Sequence, residues 1–128
     1  MNLLLDTCTF IWLSGSPGRL SAAAQQAIED EFNTLFLSDV SVWEITMKYA
    51  LGKLPLPSPP RNWVPAQAAF FQLRRLPLEA EPLYLSGELP MVHRDPFDRL
   101  LAAQAQSVSM SVLTPDSPFR DLGAQVIW

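Results

Sequence analysis

Short, uniformly apolar runs alternate along this chain with longer segments of helical pattern. Leu3-Leu4-Leu5 is apolar at every position, as in a strand covered on both faces, and Leu35-Phe36-Leu37 repeats the pattern. Between them Ser21 caps a predicted helix that runs to about Asp30. Ser41-Val42-Trp43-Glu44 has the spacing of a capping box, which predicts a helix to about Leu51 that stops at Gly52. The proline-rich loop of residues 54–60 is stiff and extended. Asn62 to Leu73 predicts a helix with Trp63, Phe70 and Leu73 as apolar contacts and Pro65 in its first turn. Arg75 to Leu78 reads as an edge strand, because Pro77 would break a central ladder. Glu81 to Glu88 predicts a helix. Asp95 and Pro96 start another, as cap and first helical residue, running to about Gln106. Ser111–Thr114 and Gln125–Trp128 complete the strands. This alternation predicts an α/β/α sandwich around a mostly parallel central sheet.

At 128 residues the chain is expected to form one domain, residues 1–128, with a core that needs no staples. Its single cysteine, Cys8, excludes an internal disulfide framework and a cysteine-based zinc site. The N-terminus has no basic segment, its apolar run is too short for a signal peptide, and no stretch approaches the roughly 20 apolar residues of a membrane span. A cytoplasmic protein without membrane contact is the expectation. Net charge is −4, from 9 Lys and Arg against 13 Asp and Glu. An acidic chain binds nucleic acid poorly by charge alone, so such a role would lean on bound metal and a local basic rim.

Four acids stand out, each at the edge of an apolar segment: Asp6 after Leu3-Leu4-Leu5, Glu44, Asp98, and Asp116 after Val112-Leu113-Thr114-Pro115. Singly each has an ordinary explanation. Glu44 could complete the capping box, Asp98 could do the same with Asp95, and Asp6 and Asp116 could form turns. Together they fit a different pattern. Ligands of parallel α/β sheets bind beyond the carboxyl ends of the strands, where all four would lie. Carboxylates that converge repel one another unless a cation sits between them, and an oxygen-only cluster suits Mg²⁺ or Mn²⁺ rather than zinc. The chemistry expected of such a site is metal-assisted phosphodiester cleavage. The only histidine, His93, excludes two-histidine acid–base cleavage of RNA within one subunit, and no Gly-rich phosphate loop is present.

The ordered set of motifs resembles the PIN-domain ribonucleases, and among them the VapC-type toxins of bacterial toxin–antitoxin pairs. It comprises Leu4-Leu5-Asp6-Thr7, Ser41-Val42-Trp43-Glu44-Ile45 with Lys48, and Leu51-Gly52-Lys53-Leu54. His93-Arg94-Asp95-Pro96-Phe97-Asp98-Arg99-Leu100-Leu101, Leu113-Thr114-Pro115-Asp116 and the terminal Val126-Ile127-Trp128 follow. Cys8 stands where close relatives often carry histidine, and Pro115 where a smaller residue is common. The resemblance implies a metal-binding quartet of Asp6, Glu44, Asp98 and Asp116, with Asp95 capping the helix that Asp98 enters. It also implies Mg²⁺ or Mn²⁺ as cofactor, RNA as substrate, a homodimer, and a small cognate antitoxin as partner. Lys48, His93, Arg94, Arg99 and Thr114 are candidates for RNA contact or for orienting the site. Two alternatives remain at this stage: a non-catalytic PIN-like module that binds RNA or a partner, and a metal-dependent DNA nuclease.

Overall fold

A computed structural model describes residues 1–128. Five strands form one sheet: β1 (Asn2–Leu5), β2 (Thr34–Ser38), β3 (Arg74–Leu76), β4 (Ser111–Leu113) and β5 (Val126–Ile127), in the order β3-β2-β1-β4-β5. Every neighbouring pair is parallel, so the expected mostly parallel sheet is wholly parallel. Seven α-helices connect the strands: α1 (Thr7–Gly15), α2 (Ala22–Glu29), α3 (Asp39–Ala50), α4 (Pro60–Phe70), α5 (Ala80–Glu88), α6 (Pro96–Ser107) and α7 (Pro118–Asp121).

The apolar run of β1 explains the layering. Side chains alternate across a strand, so Leu3 and Leu5 enter one core with Phe10, Leu13, Ile45 and Trp63. Leu4 enters the other, with Leu101, Ala102, Val112 and Phe119. All three leucines are fully buried, each worth about 1.5–3 kcal/mol of burial. Because β1 is central and all strands point the same way, their carboxyl ends share one edge. There the chain turns to opposite sides of β1, toward β2 and β4, which is the switch point where such sheets hold ligands.

Several elements differ from the sequence reading. α1 had no prediction: Thr7, Cys8, Thr9, Phe10 and Ile11 favour strands by propensity and show no amphipathic stripe, because both sides of this helix are largely buried. α3 begins three residues early. Ser38 is its cap, accepting from the Val40 amide at 2.9 Å, so Ser41 lies buried inside the helix and Glu44 lies beyond the first turn. α4 also starts early, which puts Pro65 past the first turn; the helix ends where Gln72 takes φ 56° and the Leu73 amide closes onto Ala68 O at 2.8 Å. Phe70 is 77% exposed rather than a core contact. The edge strand is where proline required it, one residue ahead of its predicted start.

Candidate metal centre

Asp6 leaves β1 and caps α1. Its Oδ1 accepts from the Thr9 amide at 2.8 Å, and its Oδ2 from the Thr114 hydroxyl at 2.5 Å. Only 2% of Asp6 is exposed, and burial, reinforced by the nearby Asp116 charge, holds its carboxyl above the usual range despite the hydrogen bonds from Thr114 and Thr9. Asp116 follows β4, and its amide donates to the same Thr114 hydroxyl at 3.1 Å. One threonine therefore ties the ends of β1 and β4 together. The facing oxygens of Asp6 and Asp116, with the Cys8 sulfur, lie within 4.8 Å of one another.

Glu44 comes from the interior of α3 and is 5% exposed. Its Oε1 accepts from the Thr7 hydroxyl at 2.6 Å, and its Oε2 pairs with the Lys48 ammonium one turn along the helix. Thr7 also lies 3.0 Å from the Ser41 hydroxyl, which gives the misread capping serine a place in the site. Asp98 sits in the first turn of α6. Asp95 caps that helix, its Oδ1 accepting from the Phe97 and Asp98 amides at 2.9 and 3.1 Å. His93 Nε2 stands 2.8 Å from Asp98 Oδ2. Burial is the main reason that the Asp98 carboxyl is pushed up to about 6, with Asp95, Glu44 and Asp6 adding repulsion.

These side chains line one cavity of about 190 Å³, bounded by Asp6, Thr7, Cys8, Glu44, Lys48, Asp95, Asp98 and Asp116. Five carboxylates, two of them from the start of α6, thus face a single ammonium. All four predicted acids come together there; Asp95 joins them as a lining residue as well as a cap. A hard divalent cation fits this donor set, because it would relieve repulsion that burial has made costly. Cys8 lines the same cavity as a neutral thiol in the metal-free site. Burial and the surrounding carboxylates raise its thiol far above the ordinary value, and the S–H points to Asp6, 3.5 Å from Oδ1.

The remaining candidates separate by burial. Thr114 is buried, and its hydroxyl holds Asp6. Arg99 is also buried, 7% exposed, with its guanidinium bound to backbone carbonyls. Lys48 and Arg94 remain open to solvent at least in part, and His93 faces Asp98. Sequence reasoning missed Thr7, Thr9 and Ser41. The only available signal was hydroxyl residues beside the acids.

The family model for the PIN domain matches residues 3–125. Over 38 residues the chain is 47% identical to Ribonuclease VapC16 of Mycobacterium tuberculosis (strain ATCC 25618 / H37Rv), covering 30% of this chain but little more than a quarter, 27%, of that protein. Among solved structures, VapBC2 from Rickettsia felis, bound to a DNA fragment from their promoter, superposes with a TM-score of 0.69 and 16% identity over 98% of this chain and 97% of that one. VapBC-1 from nontypeable Haemophilus influenzae gives 0.69 and 16% over 98% and 96%. Those identities speak for the fold alone, and the fold agrees with the wholly parallel sheet and its acid-lined edge. With the family model spanning nearly the whole chain, this protein belongs to the PIN domain family.

Proposed function

We propose that this protein is a Mg²⁺-dependent endoribonuclease, with Mn²⁺ able to substitute, and the toxin of a toxin–antitoxin pair. The observation that carries the reading is the convergence of Asp6, Glu44, Asp98 and Asp116, from four separate elements, on one small cavity at the sheet's switch point. Membership of the PIN family and the local match to Ribonuclease VapC16 support the nuclease and toxin parts. Asp6 and Asp98 would be the principal metal ligands, with Glu44 and Asp116 completing the site directly or through water. A cation there would polarise the scissile phosphate and lower the pKa of bound water. Thr114 and Thr9 fix the Asp6 carboxylate, and Thr7 fixes Glu44. Lys48, His93 and Arg94 are the basic groups proposed to meet the RNA backbone at the rim.

Partners follow from the surface. Trp43, Met47 and Leu51 form an exposed apolar stripe on and just beyond α3, and the Trp43 ring meets Phe97 edge-on at 4.8 Å. This stripe is the proposed homodimer face; Met47→Glu should yield a monomer by sedimentation. An apolar groove of about 800 Å³ between α3, α4 and β3, lined by Val42, Tyr49, Val64 and Leu73 with Arg61 and Arg74, is the proposed antitoxin seat. No helix is long and apolar enough to cross a membrane, and action in the cytoplasm, where RNA and antitoxin would meet it, is part of the proposal.

The deciding experiment incubates purified, antitoxin-free protein with total RNA and with single-stranded DNA, with and without Mg²⁺. Cleavage of RNA only in the presence of Mg²⁺ is expected. Cleavage of DNA alone would replace the substrate, and no cleavage of either would overturn the enzyme reading. If expression proves harmless and the adjacent gene product does not bind, the toxin assignment fails on its own.

A further inference from the structure

Arg99 is the one buried arginine of the chain, and it has no carboxylate partner. Its charge is satisfied by backbone instead. Nη1 donates to Pro90 O at 2.7 Å and His93 O at 3.0 Å, and Nη2 donates to Ser86 O at 2.6 Å and Leu89 O at 2.9 Å. A planar fork of donors suits this task in a way that a lysine ammonium does not. The four carbonyls span the end of α5 and the connector into α6, so one side chain pins the whole segment. A purely structural clamp would end there. This one does not, because the last carbonyl belongs to His93, whose ring reaches back to Asp98 at 2.8 Å. Arg99 and Asp98 are adjacent in α6, so guanidinium, connector, imidazole and carboxylate close a loop on themselves.

We propose that Arg99 and His93 are positioning residues for Asp98: Arg99 fixes the backbone of His93, and the imidazole takes Asp98 Oδ2 so that Oδ1 is left for the cavity. The inference rests on the reading of Asp98 as a metal ligand. Hydrogen-bond partners behind a ligand typically set metal affinity by about 10- to 100-fold. Because Arg99 acts through His93, removing both should cost no more than removing His93 alone. Two independent contributions would multiply.

The test is a double-mutant cycle of His93→Leu and Arg99→Lys, read by Mn²⁺ affinity from the electron paramagnetic resonance of free ion, with thermal melting of each variant. His93→Leu should weaken Mn²⁺ binding by about 10-fold or more. His93→Gln, which keeps an N–H donor, should recover part of that, and the double variant should match His93→Leu. Affinity within twofold of wild type in His93→Leu, or losses that multiply in the double variant, would overturn the proposal. If Arg99→Lys does not fold, His93→Leu decides alone, since that residue is a partly exposed connector position. Wild-type protein that binds no Mn²⁺ would sink the metal reading instead. The positioning claim is then decided by the ring ¹⁵N shifts of His93, the sole histidine. They should move in Asp98→Asn and in Arg99→Lys, and unchanged shifts would refute it.

Discussion

Thr114→Val isolates the hydroxyl that joins the two central strand ends. Valine fills nearly the same space, but Thr114 is 1% exposed, so no water can take the place of the lost donor to Asp6 Oδ2. Asp6 keeps its bond from the Thr9 amide at 2.8 Å, and the Asp116 amide freed by the change lies beside an exposed residue. The cost is therefore dominated by one hydrogen bond, whose worth depends on the charge of its acceptor: about 1.5–3 kcal/mol to an ionised group and about 0.5–1.5 kcal/mol to a neutral one. Burial holds the Asp6 carboxyl above the usual carboxylate range, so its charged form, which the Thr114 bond favours most, gains weight as pH rises. Urea unfolding of metal-free protein should thus show Thr114→Val destabilised more at pH 8 than at pH 4, with both losses inside the range of about 0.5–3 kcal/mol. The same variant should bind Mn²⁺ more weakly, since Asp6 loses its fixed orientation. Equal losses at both pH values, or none, would refute the account of Thr114 as the group that holds the ionised carboxylate.

Asp6→Asn and Asp98→Asn should each abolish metal-dependent RNA cleavage while raising the melting temperature of the metal-free protein at pH 7.5, because each removes a buried charge from a repulsive cluster; an active variant would remove that residue from the site. For Asp98, raised to about 6, the folded state holds the proton more tightly than the unfolded one. The resulting stabilisation is complete below the unfolded value of 3.8 and is lost as pH rises through 6. In EDTA, the advantage of Asp98→Asn over wild type should accordingly grow between pH 4 and 7, and a gap constant over that range would contradict the shift. Asp95→Asn should leave activity in place and change stability by well under ~1 kcal/mol, since asparagine caps helices nearly as well; loss of metal binding there, with Asp98→Asn unaffected, would reverse their roles.

The chain announced its layers because burial on both faces leaves an unambiguous mark. Leu3-Leu4-Leu5 has nowhere polar to point, and Asp95-Pro96 is a helix start whatever surrounds it. Local chemistry misled where tertiary contacts overruled it. Ser41 has the spacing of a cap but is drawn into the helix, because Ser38 caps first and the Ser41 hydroxyl packs against Thr7. The acids were legible as positions at strand ends and helix starts. Thr114 reads in the sequence only as a candidate for RNA contact or for orienting the site; that its hydroxyl holds Asp6, 108 residues away, no local pattern shows. Arg99 reads as a candidate for RNA contact or for orienting the site, and only the carbonyls of Ser86, Leu89, Pro90 and His93 show what its guanidinium binds.

That separation of 108 residues between Asp6 and the hydroxyl that holds it has a bearing on biosynthesis. Within this sequence Asp6 is synthesised 108 residues ahead of Thr114, and β4 carries Thr114 and Asp116 to its side. Central strand β1 has one flank open until β4 is made, and until then the cavity lacks the wall that Asp116 supplies. The order of the strands therefore makes the site a late product of folding, complete only when the two central strands pair.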